Sequence, residues 1–113
     1  MGIFDFLKGK TIKEGLCKYY QENGQLLLEE NWKDGKREGQ LKSYHENSQL
    51  KSEGNFKDNK KDGLWKWYYE NGQLKYEGNF KDGKQEGLWK WYYENGQLES
   101  KKVYKKGKLI SQK

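Results

Sequence analysis

The sequence predicts an all-β protein: an elongated single-layer antiparallel sheet built from four tandem 24-residue β-hairpin repeats, with a short N-terminal cap segment. Three observations predict it. The run Gly63–Gln73, GLWKWYYENGQ, recurs unchanged at Gly87–Gln97, an offset of 24 residues, and a fixed short period marks a repeat architecture. Each period holds two tight-turn signals, Asn-Gly and Asp-Gly. The stretches between the turns are rich in strand-favouring aromatics: 5 Trp, 9 Tyr and 4 Phe in 113 residues, with no Pro.

Residues 1–14, MGIFDFLKGKTIKE, precede the array. Ile3, Phe4, Phe6 and Leu7 fall on one face if the segment is helical. Its expected role is to cap the first hairpin, because repeat arrays need protected ends. A short interfacial membrane anchor is the alternative reading. The units follow at 15–38, 39–62, 63–86 and 87–110, and residues 111–113 form a tail. About eight strands are expected.

The first turn of each unit is Asn23-Gly24, Asn47-Ser48, Asn71-Gly72 and Asn95-Gly96. The second is Asp34-Gly35, Asp58-Asn59, Asp82-Gly83 and Lys106-Gly107. Both are read as two-residue type I′ turns, which need positive φ at both central residues. Around Asn71-Gly72 that register pairs Glu70 with Gln73, Tyr69 with Leu74, Trp67 with Tyr76, Lys66 with Glu77 and Trp65 with Gly78. Alternation then puts Trp65, Trp67, Tyr69, Leu74, Tyr76, Gly78 and Phe80 on one face. Leu64, Lys66, Tyr68 and Glu77 go to a mostly polar one. The glycine opposite Trp65 leaves room for a flat indole. Combining the two turn registers brings a residue opposite i+22 two strands away, whereas its repeat equivalent is i+24. A shear of two residues per hairpin is therefore expected.

Composition excludes several classes. Charged residues make up 35% of the chain and mean hydropathy is −1.39. No apolar run approaches the about 18 residues of a membrane-spanning helix. No signal-peptide core is seen, so a cytoplasmic location is expected. The one cysteine forms no internal disulfide framework and suits a reducing compartment.

No catalytic constellation, cofactor motif or metal-ligand set stands out, and a non-enzyme is expected. His45 has no partner His or Cys, and it occupies the place that holds Gln21, Tyr69 and Tyr93 in other units. Cys17 replaces a Trp and is read as a small packing residue. Glu22, Glu46, Glu70 and Glu94 precede the first turns as a solvated rim rather than an acid–base pair. The net charge of +6 concentrates in Lys101, Lys102, Lys105, Lys106, Lys108 and Lys113. Placed on the terminal strand, these lysines guard an open edge or contact an acidic protein or anionic lipid surface. No basic stripe is expected along the aromatic face, which argues against nucleic acid.

The pattern G-L-W-K-W-Y-Y-E-N-G-Q-L-K-Y-E-G-N-F-K-D-G-K resembles a membrane occupation and recognition nexus (MORN) repeat. It is most similar to the bacterial variant found in antitoxin-like proteins of toxin–antitoxin systems. The resemblance covers residues 15–110. It implies a rod of hairpins, no cofactor, and a protein-interaction or lipid-associated scaffold. The implied partner is another protein, such as a toxin, with an anionic lipid surface as the alternative. A homodimer through the sheet edges is a further expectation. Choline-binding cell-wall repeats also combine Gly-Trp with Trp-Tyr-Tyr, which gives a carbohydrate or choline-type ligand as another alternative, but their period is shorter. The expected contact residues are Trp65, Trp67, Tyr69, Tyr76, Trp89, Trp91 and Tyr93 on the aromatic face. This face is diluted in the first two units, where Cys17 and Leu41 stand at the Trp65 position and Tyr19 and Ser43 at the Trp67 position.

Overall fold

A computed structural model of the chain describes residues 13–112. The expected cap lies almost wholly outside them. The described residues form β1 (Gly15–Tyr20), β2 (Leu26–Lys33), β3 (Lys36–Arg37), β4 (Gly39–Tyr44) and β5 (Leu50–Lys57). They continue with β6 (Lys60–Tyr68), β7 (Leu74–Lys81), β8 (Lys84–Tyr92), β9 (Leu98–Lys105) and β10 (Lys108–Gln112). All are antiparallel in one open sheet of order β1-β2-β4-β5-β6-β7-β8-β9-β10, with the two-residue β3 paired to β2. The shape is a slab of 55 × 34 × 16 Å. Ten strands appear instead of about eight for two reasons. β3 and β4 are one strand broken at Glu38, and β10 carries the chain through Ser111 and Gln112, where the sequence suggests a tail.

The two turn types differ, contrary to expectation. Asp82 (φ 54°) and Gly83 (φ 80°) both take positive φ, and Lys81 pairs with Lys84 across them, the two-residue type I′ geometry. At Asn71-Gly72 only Gly72 does so (φ 91°). The Gly72 N–H donates to Tyr69 O at 3.0 Å and the Tyr69 N–H to Gln73 O at 2.8 Å. This is a three-residue loop, Glu70-Asn71-Gly72, closed as a type I turn with a glycine bulge. Asn71 keeps ordinary φ because its side chain is engaged on both sides. Its Oδ1 accepts the Gln73 N–H at 2.8 Å and its Nδ2 donates to Glu94 O of the next unit at 3.0 Å. Tyr68, not Tyr69, therefore faces Leu74. The extra residue Lys75 then restores the expected Trp67–Tyr76, Lys66–Glu77 and Trp65–Gly78 pairs.

The expected shear is also absent. β7 and β8 pair Asn79 with Glu86 near their turn but Glu77 with Lys90 and Tyr76 with Trp91 farther on. The bulge sets three residues, Gly87 to Trp89, against Gly78 alone. Gly87 makes it sterically permissible through a positive φ of 81°. The two residues absorbed there raise the lateral step from 22 to 24. Repeat equivalents consequently lie in line across the sheet: Trp67 faces Tyr76, and Tyr76 faces Trp91. Any sequence count that assumes unbroken pairing past a turn misses such a bulge.

The core is a row of indoles on glycines. Trp65 and Trp89 are 2% and 1% exposed. A Cβ built on Gly54 would come within 2.1 Å of the Trp65 ring, and one on Gly78 within 2.0 Å of the Trp89 ring. The indole therefore lies not on the glycine of its own hairpin, as expected for Trp65 and Gly78, but on that of the preceding unit. Each Nε1–H donates across the same boundary, Trp65 to Asn55 O at 2.9 Å and Trp89 to Asn79 O at 3.1 Å. A single-layer sheet has no second layer to bury these side chains, so the apolar contact and the polar bond both serve to clamp one repeat to the next.

Candidate functional site

The aromatic face is built around that buried row. Trp67 stacks on Tyr76 with ring centroids 4.5 Å apart, and Tyr76 meets Trp91 at 6.1 Å. These three rings are half-buried. Phe56 stands edge-on to Trp65 at 5.2 Å and Phe80 edge-on to Trp89 at 5.1 Å. Tyr104 closes the cluster against Trp89 and Trp91. Of the seven expected contact residues, the structure brings together Trp65, Trp67, Tyr76, Trp89 and Trp91. Trp65 and Trp89 are the buried floor, out of a partner's reach. Tyr69 and Tyr93 lie instead along the edge of first turns. Tyr69 Oη donates to Tyr92 O at 2.7 Å, and Tyr93 is exposed. Phe56 and Tyr104 belong to the face although sequence reasoning did not name them. Their place at the Phe80 position of units two and four was the available signal.

Cations do track this face, contrary to the expectation of none. Lys61 Nζ sits 5.2–5.5 Å from the rings of Trp65, Trp67 and Phe80. Arg37, one period earlier, covers Trp32 and Phe56. Lys13 covers Trp32 and Tyr19, and Lys102 covers Trp91 at 4.9 Å. The fourth equivalent position holds Gln85. Such contacts are individually worth about 0.5–1 kcal/mol when exposed. The signal was the period itself, because residues 13, 37 and 61 are basic at successive 24-residue steps.

The opposite face carries an alternating charge ladder. Lys18 faces Glu29, Glu29 faces Lys42, Lys42 faces Glu53, Glu53 faces Lys66, Lys66 faces Glu77 and Glu77 faces Lys90. Tyr44, Tyr68 and Tyr92 donate their hydroxyls to Glu29, Glu53 and Glu77 at 2.7–2.9 Å. Burial first, then the carboxylate acceptor, pushes the Tyr44 phenol up to about 12 and those of Tyr68 and Tyr92 up as well. The ladder ends out of phase: Lys90 faces Lys101, which stands where the other units have Glu.

The C-terminal lysines are not one patch, and they do not share the edge strand. Lys101 and Lys102 sit on opposite faces of β9, and Lys102 takes the place of Gly54 and Gly78. Lys106 is in the last turn and Lys108 on β10, the true edge. Lys105 and Lys106 join lysines from earlier units at the edge of second turns, lining a groove with Lys60, Lys81 and Lys84.

The first junction replaces the indole–glycine contact with a charge network. Glu30 stands at the glycine position and is 3% exposed. It accepts from Arg37 Nε at 2.9 Å and Tyr19 Oη at 2.8 Å, and Lys13 Nζ donates to Tyr19 Oη at 2.9 Å. Burial pushes the Glu30 carboxyl up, but the bonds from Arg37 and Tyr19 outweigh it and hold it below the usual value. Cys17, paired with Glu30 on β2, is half-buried. His45 Nε2 bonds Tyr68 O at 2.9 Å, the bond that Tyr69 Oη makes one unit later. Among the described residues no cluster of three or more His, Cys, Asp or Glu is placed to hold a metal ion. No described helix is long and apolar enough to cross a membrane.

No curated protein matches the chain. A model of the MORN repeat variant matches it four times in tandem, at residues 13–34, 37–58, 61–82 and 85–106. These matches recur at the 24-residue step that aligns Trp67 with Trp91 in the sheet and cover most of the sequence. The chain therefore belongs to the MORN repeat variant family, whose repeats serve in general as protein- and membrane-interaction modules.

Proposed function

We propose that the protein is a non-enzymatic module that binds another protein through the aromatic face of units three and four. The observation that carries this reading is the in-line ladder Trp67–Tyr76–Trp91, only half-buried on a sheet that the described residues cover with no second layer. Trp and Tyr are rigid, large and amphipathic, and they dominate binding energy at protein interfaces. Trp67 and Tyr76 spend their ring faces on each other, and Lys61 and Lys102 occupy further ring faces. Ring edges and indole N–H groups are left for a partner, which suits a protein surface better than a stack of nucleic-acid bases.

The antitoxin-like reading is narrower and rests on the family resemblance, with the partner a toxin in the same cytoplasm. Pull-down from the native host tests the broader reading. Wild-type chain retains a partner that the Trp67→Ala/Trp91→Ala variant loses, with the variant's fold checked by circular dichroism. A folded variant that retains the same partner overturns the aromatic-face assignment. Co-expression with the product of the neighbouring reading frame tests the antitoxin role: no relief of growth arrest removes it.

A further inference from the structure

The sheet topology sorts the charges of this chain in a way that its linear sequence conceals. All second turns lie along one edge of the slab and all first turns along the other. The first-turn edge carries Glu22, Glu46, Glu70 and Glu94. The second-turn edge carries a lysine on each side of every turn: Lys33 and Lys36, Lys57 and Lys60, Lys81 and Lys84, Lys105 and Lys108. Successive turns are fastened to each other by backbone bonds. The Asn59 N–H donates to Arg37 O, the Gly83 N–H to Lys61 O and the Gly107 N–H to Gln85 O, at 3.0–3.1 Å. The lysines thus stand on a rigid rail, one turn every two strands, a pitch of about 9.6 Å.

Between successive turns lie three grooves whose charge balance changes along the rail. The first has Lys33, Lys36 and Lys57 against Asp34, Glu38 and Asp58, which cancel. The second has four lysines against Asp58, Asp62 and Asp82. The third, of about 540 Å³, has Lys60, Lys81, Lys84, Lys105 and Lys106 against only Asp82 and Glu86. Lys106 causes the change by standing where the other turns have Asp. Glu86 is moreover occupied, its Oε1 accepting the Lys106 N–H at 3.0 Å. Among the described residues the ion pairs are Lys18–Glu29 and Arg37–Glu30, so none of these five lysines is paired.

We propose that this edge binds an acidic, extended peptide segment of a partner protein, anchored in the third groove and running along the rail. The shape of the charge decides the class. A row of lysines along the rim of a slab 16 Å thick presents a line, not the plane that a membrane surface would cover. A chain in the extended polyproline II conformation, with three residues per turn, presents a carboxylate at every third residue on one side at a repeat of about 9.3 Å, which matches the turn pitch. The inference rests on the reading of the chain as a protein-binding module but uses a surface separate from the aromatic face.

The test is fluorescence anisotropy of the intact protein with a labelled peptide of Glu-Gly-Gly repeats, against the same peptide with Gln for Glu. The Glu peptide binds at low salt, weakens as salt rises, and outcompetes its Gln counterpart. Lys84→Glu/Lys105→Glu weakens binding by about tenfold or more. Lys51→Glu/Lys75→Glu makes the same change in net charge near the other edge and weakens it by less than about threefold. The milder Lys84→Gln/Lys105→Gln gives an intermediate loss and guards against a folding defect. Trp67→Ala/Trp91→Ala leaves peptide binding intact, whatever becomes of a partner on the aromatic face. Four results would overturn the proposal: no peptide binding at low salt, equal loss from both charge-reversed pairs, loss in the tryptophan variant, or groove-dependent capture of phosphatidylserine vesicles without peptide binding.

Discussion

The Trp89 indole rests on Gly78 of the preceding unit so closely that a Cβ on that glycine would meet the ring at 2.0 Å. The neighbouring atoms belong to a ring that is itself wedged between Phe80, Trp91 and Tyr104. It has nowhere to yield. Gly78→Ala is therefore expected to destabilise by about 3 kcal/mol, at the upper end of overpacking costs. Gly54→Ala, under Trp65, should behave alike. Urea denaturation followed by tryptophan fluorescence measures both, and a change below about 1 kcal/mol would contradict the contact.

Ser48 holds φ at 72°, where the other three first turns have glycine. A side chain in this left-handed region raises the energy by about 1–2 kcal/mol. Ser48→Gly should stabilise the protein by about 1 kcal/mol, because the relief exceeds the added freedom of the unfolded chain. Thermal denaturation reads it as a rise in Tm.

Glu14, Glu38 and Glu86 accept the N–H of Asp34, Asp58 and Lys106 in the second turns. The residue equivalent to them for the Asp82 turn is Asp62, one methylene shorter, and it makes no such bond to Asp82. Asp62→Glu should install the missing bond and add about 0.5 kcal/mol. Slower amide exchange at Asp82 would show that the gain comes from that bond.

Glu30 gives the first junction an acid-sensitive contribution. Its folded pKa lies below the ordinary value, so its stabilisation is complete above that value. It is lost as pH falls from there through the lower folded pKa. Glu30→Gln should be less stable than wild type at neutral pH and should lose less stability on acidification. Parallel slopes for the two proteins in that acid range would contradict the network with Arg37 and Tyr19.

The tyrosine–glutamate pairs act at the other end of the pH scale. Phenol pKa values raised on folding contribute stability below the ordinary tyrosine value, lost as pH rises toward the folded one. Tyr44 should ionise only near pH 12 in the folded state, visible as delayed phenolate absorbance. Tyr68→Phe removes the bond to Glu53 at about 1 kcal/mol and one late-titrating group from that curve.

The sequence announces the period, both turn positions, the two faces and the Lys66–Glu77 pair, because each depends on neighbours a few residues apart. It misplaces what depends on a bulge. Lys75 and the Gly87–Trp89 segment each add residues that break simple pairing arithmetic, so the lateral step and the resting place of the indoles come out wrong. The aromatic face is readable in Trp67 and Trp91, but alternation cannot tell the buried Trp65 and Trp89 from their half-exposed neighbours. That difference is set by Gly54 and Gly78 on another hairpin. The regrouping of Lys105 and Lys106 with Lys60, Lys81 and Lys84 needs the topology itself, since 45 residues separate Lys60 from Lys105.

The bulge at Gly87 makes the step across the sheet equal to the step along the sequence. A whole unit is thereby an interchangeable part. Excising residues 63–86 would bring Trp89 onto Gly54 as it now rests on Gly78, with each turn still meeting its neighbour. Lengthening or shortening the array by complete units leaves every surviving contact in register, whereas removal of a few residues throws all later ones out of phase. Chain length is thus free to vary by duplication and loss without redesign of the interior.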